Sequence, residues 1–302
     1  SKANKNKQLY FSDGNNEIPT MEHVNPFRDI PCHKDIYYFY YVATKAGIIQ
    51  QDDRSGILCA MLLKWIRDGY VNFTMEPSTG WFKKDKYEID FSGEIPTENI
   101  LEEKMLGYFR EASGDNQILE NKEFERWCKR NYEEIEDWFN DLIEFEEKEL
   151  KEKGLMKKQT TYKKFLGIDI ANEKVVYEPS FRDDIIYTKG LKRFLLDFSS
   201  IEEKEVIEVK LWEEYLMFAS ILGIADEVEK QIGKLCPEFN QYSNIDYTYT
   251  MLATRTFMYG GVRSAANAYS AAHSSSYSGG GGFSSFGGGG GGFSGGGGGG
   301  SR

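Results

Sequence analysis

Three histidines, His23, His33 and His273, are the only imidazoles in the chain. None has a second ligand or a nucleophile at a spacing that closes a zinc site or a catalytic triad, so cap, loop or surface roles are the expectation for all three. Gly292-Phe-Ser294-Gly-Gly296 matches the pattern of a nucleophile elbow, but that motif works only where a strand turns sharply into a helix, and here it sits inside a glycine run. No phosphate-binding glycine loop is followed by a helix. Asn72-Phe-Thr74 matches a glycosylation acceptor but falls within a predicted strand, and no role is assigned to it. Carboxylates are plentiful in EEIED from Glu133, EFEEKELKEK from Glu144, IEEKE from Ile201 and WEEY from Trp212. They alternate with lysines as solvated, ion-paired helix faces do, whereas acid–base catalysis needs a carboxylate held in a pocket. The residues therefore imply no catalytic site, no cofactor and no metal, and the expectation is a protein that is not an enzyme.

Cys32, Cys59, Cys128 and Cys236 are dispersed without a C-x-x-C pair, which reads as reduced, buried thiols rather than a zinc knuckle or a disulfide framework. With 37 Lys and Arg against 48 Asp and Glu the chain carries a net charge of -11, which disfavours a polyanion as its main partner. Between Thr20 and Ile95 there are nine basic against eleven acidic residues, and between Thr97 and Lys157 ten against eighteen. A nucleic-acid reader needs clustered cations on its recognition helix, and the helix in question offers only Lys64 and Arg67. Lys83, Lys84 and Lys86, in a turn-rich loop, keep nucleic-acid binding as the alternative. These three lysines with Trp212 and Tyr215 form the candidate interaction surface, and an unidentified protein is the expected partner.

The elements that must carry these residues follow from periodicity and breakers. Asp35–Ala46 and Ile57–Asp68 read as helices stopped by Gly47 and Gly69, and a hairpin of Tyr70–Met75 and Tyr87–Phe91 follows. Helices followed by a two-stranded ribbon make a winged-helix-like unit, placed at 27–96 after a polar lead-in at 1–26. A second helical or winged-helix-like unit occupies 97–188. It has Thr97 as the expected N-cap, helices near Lys122–Arg130 and Tyr132–Lys153, and short strands at Val175–Tyr177 and Ile185–Tyr187. A C-terminal helical segment at 189–250 contains Val206–Leu222, a break at Gly223, and Ala225–Leu235. Residues 251–302 read as a low-complexity Gly/Ser/Phe tail, because 18 of the 31 glycines lie at or beyond Gly260. The fold class is α+β, mainly helical, with two winged-helix-like units, a C-terminal helical segment and a disordered Gly-rich tail. The opening Ser1–Gln8 is polar and basic, with no apolar run after it. It reads either as a solubilising boundary or as the cytoplasmic flank of a membrane span.

Phe27-Arg-Asp-Ile-Pro31, SGILCAMLLKWIRDGYVNF from Ser55, GLKRFLLDFSSIEEKE from Gly190, LWEEYLMFASILGIADEV from Leu211 and the glycine-rich end together resemble one family. They are similar to the C-terminal region of the domain of unknown function (DUF) 2207 family, the YciQ-like predicted membrane proteins. The resemblance implies no established activity. It implies a secretory signal, an extracytoplasmic β-rich domain and a transmembrane helix upstream of this chain, with this soluble region attached at the cytoplasmic face of the membrane. It also makes the opening lysines Lys2, Lys5 and Lys7 juxtamembrane. Relatives often carry membrane segments between the helical units and the LKRFL block, where Thr161–Thr188 of this chain is polar.

Overall fold

The computed structural model describes residues 8–50, 53–76, 86–197, 209–235 and 247–274. Its fold is α+β and mainly helical, with two three-stranded sheets. The first helix starts where an extended Asp35 turns its carboxylate back to accept the amide N–H groups of Tyr37 at 2.9 Å and Tyr38 at 3.2 Å. This side-chain cap satisfies two donors that have no intrahelical partner. Helix α1 (Ile36–Lys45) then buries Tyr37, Phe39, Tyr40 and Tyr41, so its aromatic run is core. Helix α2 (Gly56–Arg67) buries Gly56 to Leu63, Trp65 and Ile66, leaving scarcely any polar face. An element apolar all round needs neighbours on every side.

Strand β1 (Tyr10–Phe11) comes first in the chain, and β2 (Asn72–Glu76) with β3 (Lys86–Asp90) forms the expected hairpin in the register Asn72↔Asp90 to Glu76↔Lys86. A third strand, β4 (Ile118–Glu120), pairs antiparallel with β3 and completes the sheet β2–β3–β4. This strand crosses the boundary expected at residue 96, and one continuous hydrophobic core runs from Phe11 to Ala265. Helix α3 (Ile100–Ser113) is capped by Asn99, whose Oδ1 accepts from the Glu102 amide at 3.0 Å, and not by Thr97. Asparagine two residues later has the same capping chemistry, and its extended backbone puts the oxygen within reach. Helices α4 (Asn121–Arg130) and α5 (Tyr132–Glu152) follow as the periodicity requires, with Glu120 and Glu123 capping α4 reciprocally.

The largest departures lie beyond α5. Strands β5 (Met156–Phe165) and β6 (Ile168–Tyr177) form a long hairpin, and β1 adds to β6 in parallel. Helix α6 (Pro179–Leu196) contains Ile185–Tyr187, which the sequence places in a strand. Its buried residues Phe181, Ile185, Thr188, Leu191 and Leu195 recur at helical spacing, and Pro179 opens it. Helices α7 (Val209–Ile221) and α8 (Ala225–Leu235) flank Gly223 as expected, with φ there at +71°. Helix α9 (Tyr247–Ser274) overturns part of the expected tail: 28 residues form one helix packed on α2, α4 and α5. The reading of Gly279–Arg302 as a disordered tail lies outside the described residues.

Among the buried polar groups, one carboxylate is fully committed to hydrogen bonds in the core. Glu102 is fully buried, and its carboxylate accepts from Tyr37 Oη at 2.7 Å, Lys64 Nζ at 2.5 Å and the Glu98 amide at 2.9 Å. Lys64→Met is expected to destabilise the fold by about 2 kcal/mol, less than for a fully stripped buried ion because the hydroxyl and the amide remain. Urea unfolding of the two proteins measures it, and Lys64→Met combined with Glu102→Gln should recover part of the loss.

Candidate functional site

The five residues expected to form an interaction surface do not come together. Lys83 and Lys84 lie outside the described residues. Lys86 opens β3, and its ammonium sits 2.5 Å from Glu88 and 2.9 Å from Glu120. Those two contacts push its proton affinity above that of an ordinary lysine, and they also neutralise its charge locally. Trp212 and Tyr215 are a correction: both are buried, Trp212 edge-on to Tyr215 with ring centres 5.8 Å apart. Tyr215 also lies 5.7 Å from Phe194 and donates its hydroxyl to the Arg28 carbonyl at 2.9 Å. The reason is that α7 is enclosed by α1, α2, α6, α8 and α9, so its aromatic face turns inward. Glu214 on the same helix accepts from Lys34 at 2.8 Å, as an ion-paired rim does.

The thiols are buried too. Burial pushes Cys59 up to about 12 and raises Cys32 and Cys128 further, so all three are held as unreactive thiols. Cys236 lies outside the described residues.

The element that does present itself is the β5–β6 hairpin, which sequence patterning misses. Its base is anchored: Met156, Val176 and Tyr177 are buried, Tyr177 stacks on Phe181 at 4.2 Å, and its hydroxyl meets that of Tyr41 at 2.8 Å. Beyond that base, residues 157–164 and 168–173 are all exposed. The exposed run 157–164, at a strand's rise of about 3.3 Å per residue, makes an arm of roughly 26 Å. It is not a polar arm, because Tyr162, Leu166 and Ile168 are 70%, 88% and 68% exposed. Isolated exposed apolar residues are ordinary, but here Leu166 at the turn lies beside Ile168, with Ile170 on the same face as Ile168 and Tyr162 on the opposite face of the ribbon.

Two further properties of the arm come from its register. Lys163↔Ile170 and Gln159↔Lys174 put Lys157, Lys163 and Lys174 on one face with Ile168 and Ile170, and that face of the hairpin carries no carboxylate. On the other face Lys158 and Lys164 are matched by Asp169 and Glu173. The turn is Leu166-Gly167, with φ of +51° and +82°. A two-residue turn of this hand favours Asn or Asp at its first position. Leucine there costs about 1 kcal/mol of backbone energy and gains no burial in return. Among the described residues, strand β5 also lies at the edge of its sheet, with β6 as its one partner strand.

Among the described residues, no helix is long and apolar enough to cross a membrane. No curated protein and no solved structure matches the chain. Residues 185–232 do match a family model, described as the C-terminal domain of a predicted membrane protein (DUF2207). The matched stretch runs from within α6, through α7 and into α8, and is similar to that C-terminal domain.

Proposed function

We propose that this chain is a non-enzymatic protein-interaction module at the cytoplasmic face of a membrane protein, and that the β5–β6 arm is its contact element. The observation that carries this reading is the exposed apolar tip, where Leu166 occupies a left-handed position that a polar residue would fill at lower cost. The order α1, α2, β2, β3, with β4 closing the sheet, supports the winged-helix-like reading of residues 27–96. The family match supports the membrane context. An upstream membrane segment, as the family resemblance implies, would supply the attachment.

Leu166→Asn separates contact from folding, since it relieves the turn while removing the apolar tip. With a photo-crosslinking amino acid at Tyr162 in the full chain in cells, the expected result is one reproducible crosslinked protein, lost or reduced at least about tenfold by Leu166→Asn, with the melting temperature held or raised. Crosslinks that persist unchanged in Leu166→Asn, or that go only to lipid, would overturn the assignment.

A second reading rests on the face of Lys157, Lys163 and Lys174, which could meet the phosphates of a nucleic acid. In that case duplex DNA would shift the chain at low salt, and Lys157→Glu with Lys163→Glu would remove the shift.

A further inference from the structure

The first turn of α1 stands over a cavity of about 900 Å³ whose walls also include side chains of α5, α6 and α7. Its charges are unevenly compensated. Each cation on its wall has a carboxylate partner: Lys34 has Glu214 at 2.8 Å, Lys64 has Glu102 at 2.5 Å, Arg67 has Asp68 at 3.0 Å, and Lys153 has Glu149 at 3.3 Å. Three carboxylates on the same wall, Asp35, Glu146 and Asp184, have no Lys or Arg within ion-pair distance among the described residues.

Two of the three are held by hydrogen bonds: Asp35 by the amides it caps, and Asp184 by Tyr38 Oη at 2.6 Å. Glu146 is different. It is 5% exposed and has no hydrogen-bond donor among the described residues, yet it lines the cavity. A carboxylate mostly withdrawn from water without a partner is costly to ionise, and a matched cation reaching it from the cavity relieves that cost. Asp35 and Glu149 face Glu146 with like charge and only Lys153 opposes them, so burial and repulsion together raise its proton affinity to about 8. Asp184 is raised by burial too, with His33 opposing. Among the described residues no group of three or more ligating side chains is arranged to hold a metal ion. Phe145, Met217 and Phe218 supply apolar wall beside the carboxylates. A charge-bearing head with a methylene stem suits such a wall.

We infer that this cavity is a binding site for a small aliphatic amine, with an ammonium group seated on Glu146 and within the field of Asp35 and Asp184. It is a separate site from the arm and does not depend on what the arm contacts.

The probe is putrescine, titrated calorimetrically into the full chain at about 0.15 M salt to suppress general attraction to an acidic protein. Saturable binding is expected, with 1,4-butanediol, its neutral counterpart, giving none. Glu146→Gln should weaken it at least about tenfold, while Glu133→Gln, an exposed surface control, should leave it unchanged. Because the amine binds the ionised carboxylate, affinity should rise about tenfold from pH 7 to pH 9. Asp184→Asn is the second variant and decides the matter if Glu146→Gln does not fold, since it too must weaken binding. No saturable heat at about 10 mM putrescine, equal affinity in Glu146→Gln and wild type, or binding of the diol as tight as the diamine would each overturn the inference.

Discussion

Gly56→Ala is expected to destabilise the protein by about 3 kcal/mol or more and to lower its melting temperature by roughly 6–12 °C. Gly56 is the first residue of α2, and a Cβ built on it would lie 2.1 Å from the Ser220 carbonyl oxygen, 2.8 Å from its carbon and 3.0 Å from Ile221 Cα. All three atoms are backbone, so no side chain can rotate away, and the helices α2 and α7 must separate to admit one methyl group. Both are packed on other sides as well, which makes separation expensive. Gly107→Ala, in the middle of α3 with nothing within 4 Å of the added Cβ, is the control. It should stabilise the fold by about 0.5–1 kcal/mol, because alanine loses less backbone entropy than glycine. Thermal unfolding of the three proteins reads both effects. A Gly56→Ala melting point equal to that of wild type would mean that α2 and α7 do not cross this closely.

A chain ending at Asn244 is expected to lose cooperative unfolding, whereas a chain ending at Ser278 should keep it. The first truncation removes α9, which buries Met251, Thr254, Phe257, Met258, Val262 and Ala265. Phe257 stacks on Phe124 with ring centres 5.5 Å apart, and Arg255 pairs with Asp226 of α8. Four large apolar side chains at about 1.5–3 kcal/mol each amount to roughly 6–12 kcal/mol, the same size as the whole stability of a typical domain. Losing them also exposes the faces of α2, α4 and α5 that they cover. The second truncation removes only Gly279–Arg302, a stretch whose composition leaves it almost nothing to bury. Circular dichroism melts distinguish the outcomes, and a cooperative wild-type melt from the chain ending at Asn244 would show that α9 is not part of the core.

Helix α9 is illegible in the sequence for a particular reason. It is rich in Ala, Ser, Tyr, Thr and Gly, and Gly260-Gly261 reads as a breaker. In the fold, Gly261 is what allows the approach to α4: a Cβ there would lie 2.2 Å from the Phe124 ring. A glycine required by close helix packing and a glycine that ends a helix look the same in one dimension. The hairpin escapes notice for the opposite reason. Strand alternation is a signal of one buried face, and along 157–164 both faces are exposed, so there is no alternation to find. Periodicity puts Trp212 and Tyr215 together on one helix face, but it reports that a face exists and not what covers it, which is why the expected surface pair is core.

What the amino-acid sequence determined by itself is whatever depends on neighbours along the chain. The α+β class, the extents of α1, α2, α4, α5, α7 and α8, the β2–β3 ribbon and the resemblance to the DUF2207 family all follow from periodicity, breakers and local motifs. The spacing of apolar residues and the chemistry of turns act over a few residues and survive projection onto a line. Only the tertiary structure decided that β4 joins the sheet of β2 and β3, that α9 belongs to the core, that the arm projects, and that Glu146 faces a cavity with Asp35 and Asp184. These depend on residues brought together from distant parts of the chain, where burial and charge compensation are properties of the assembled neighbourhood and not of any segment within it.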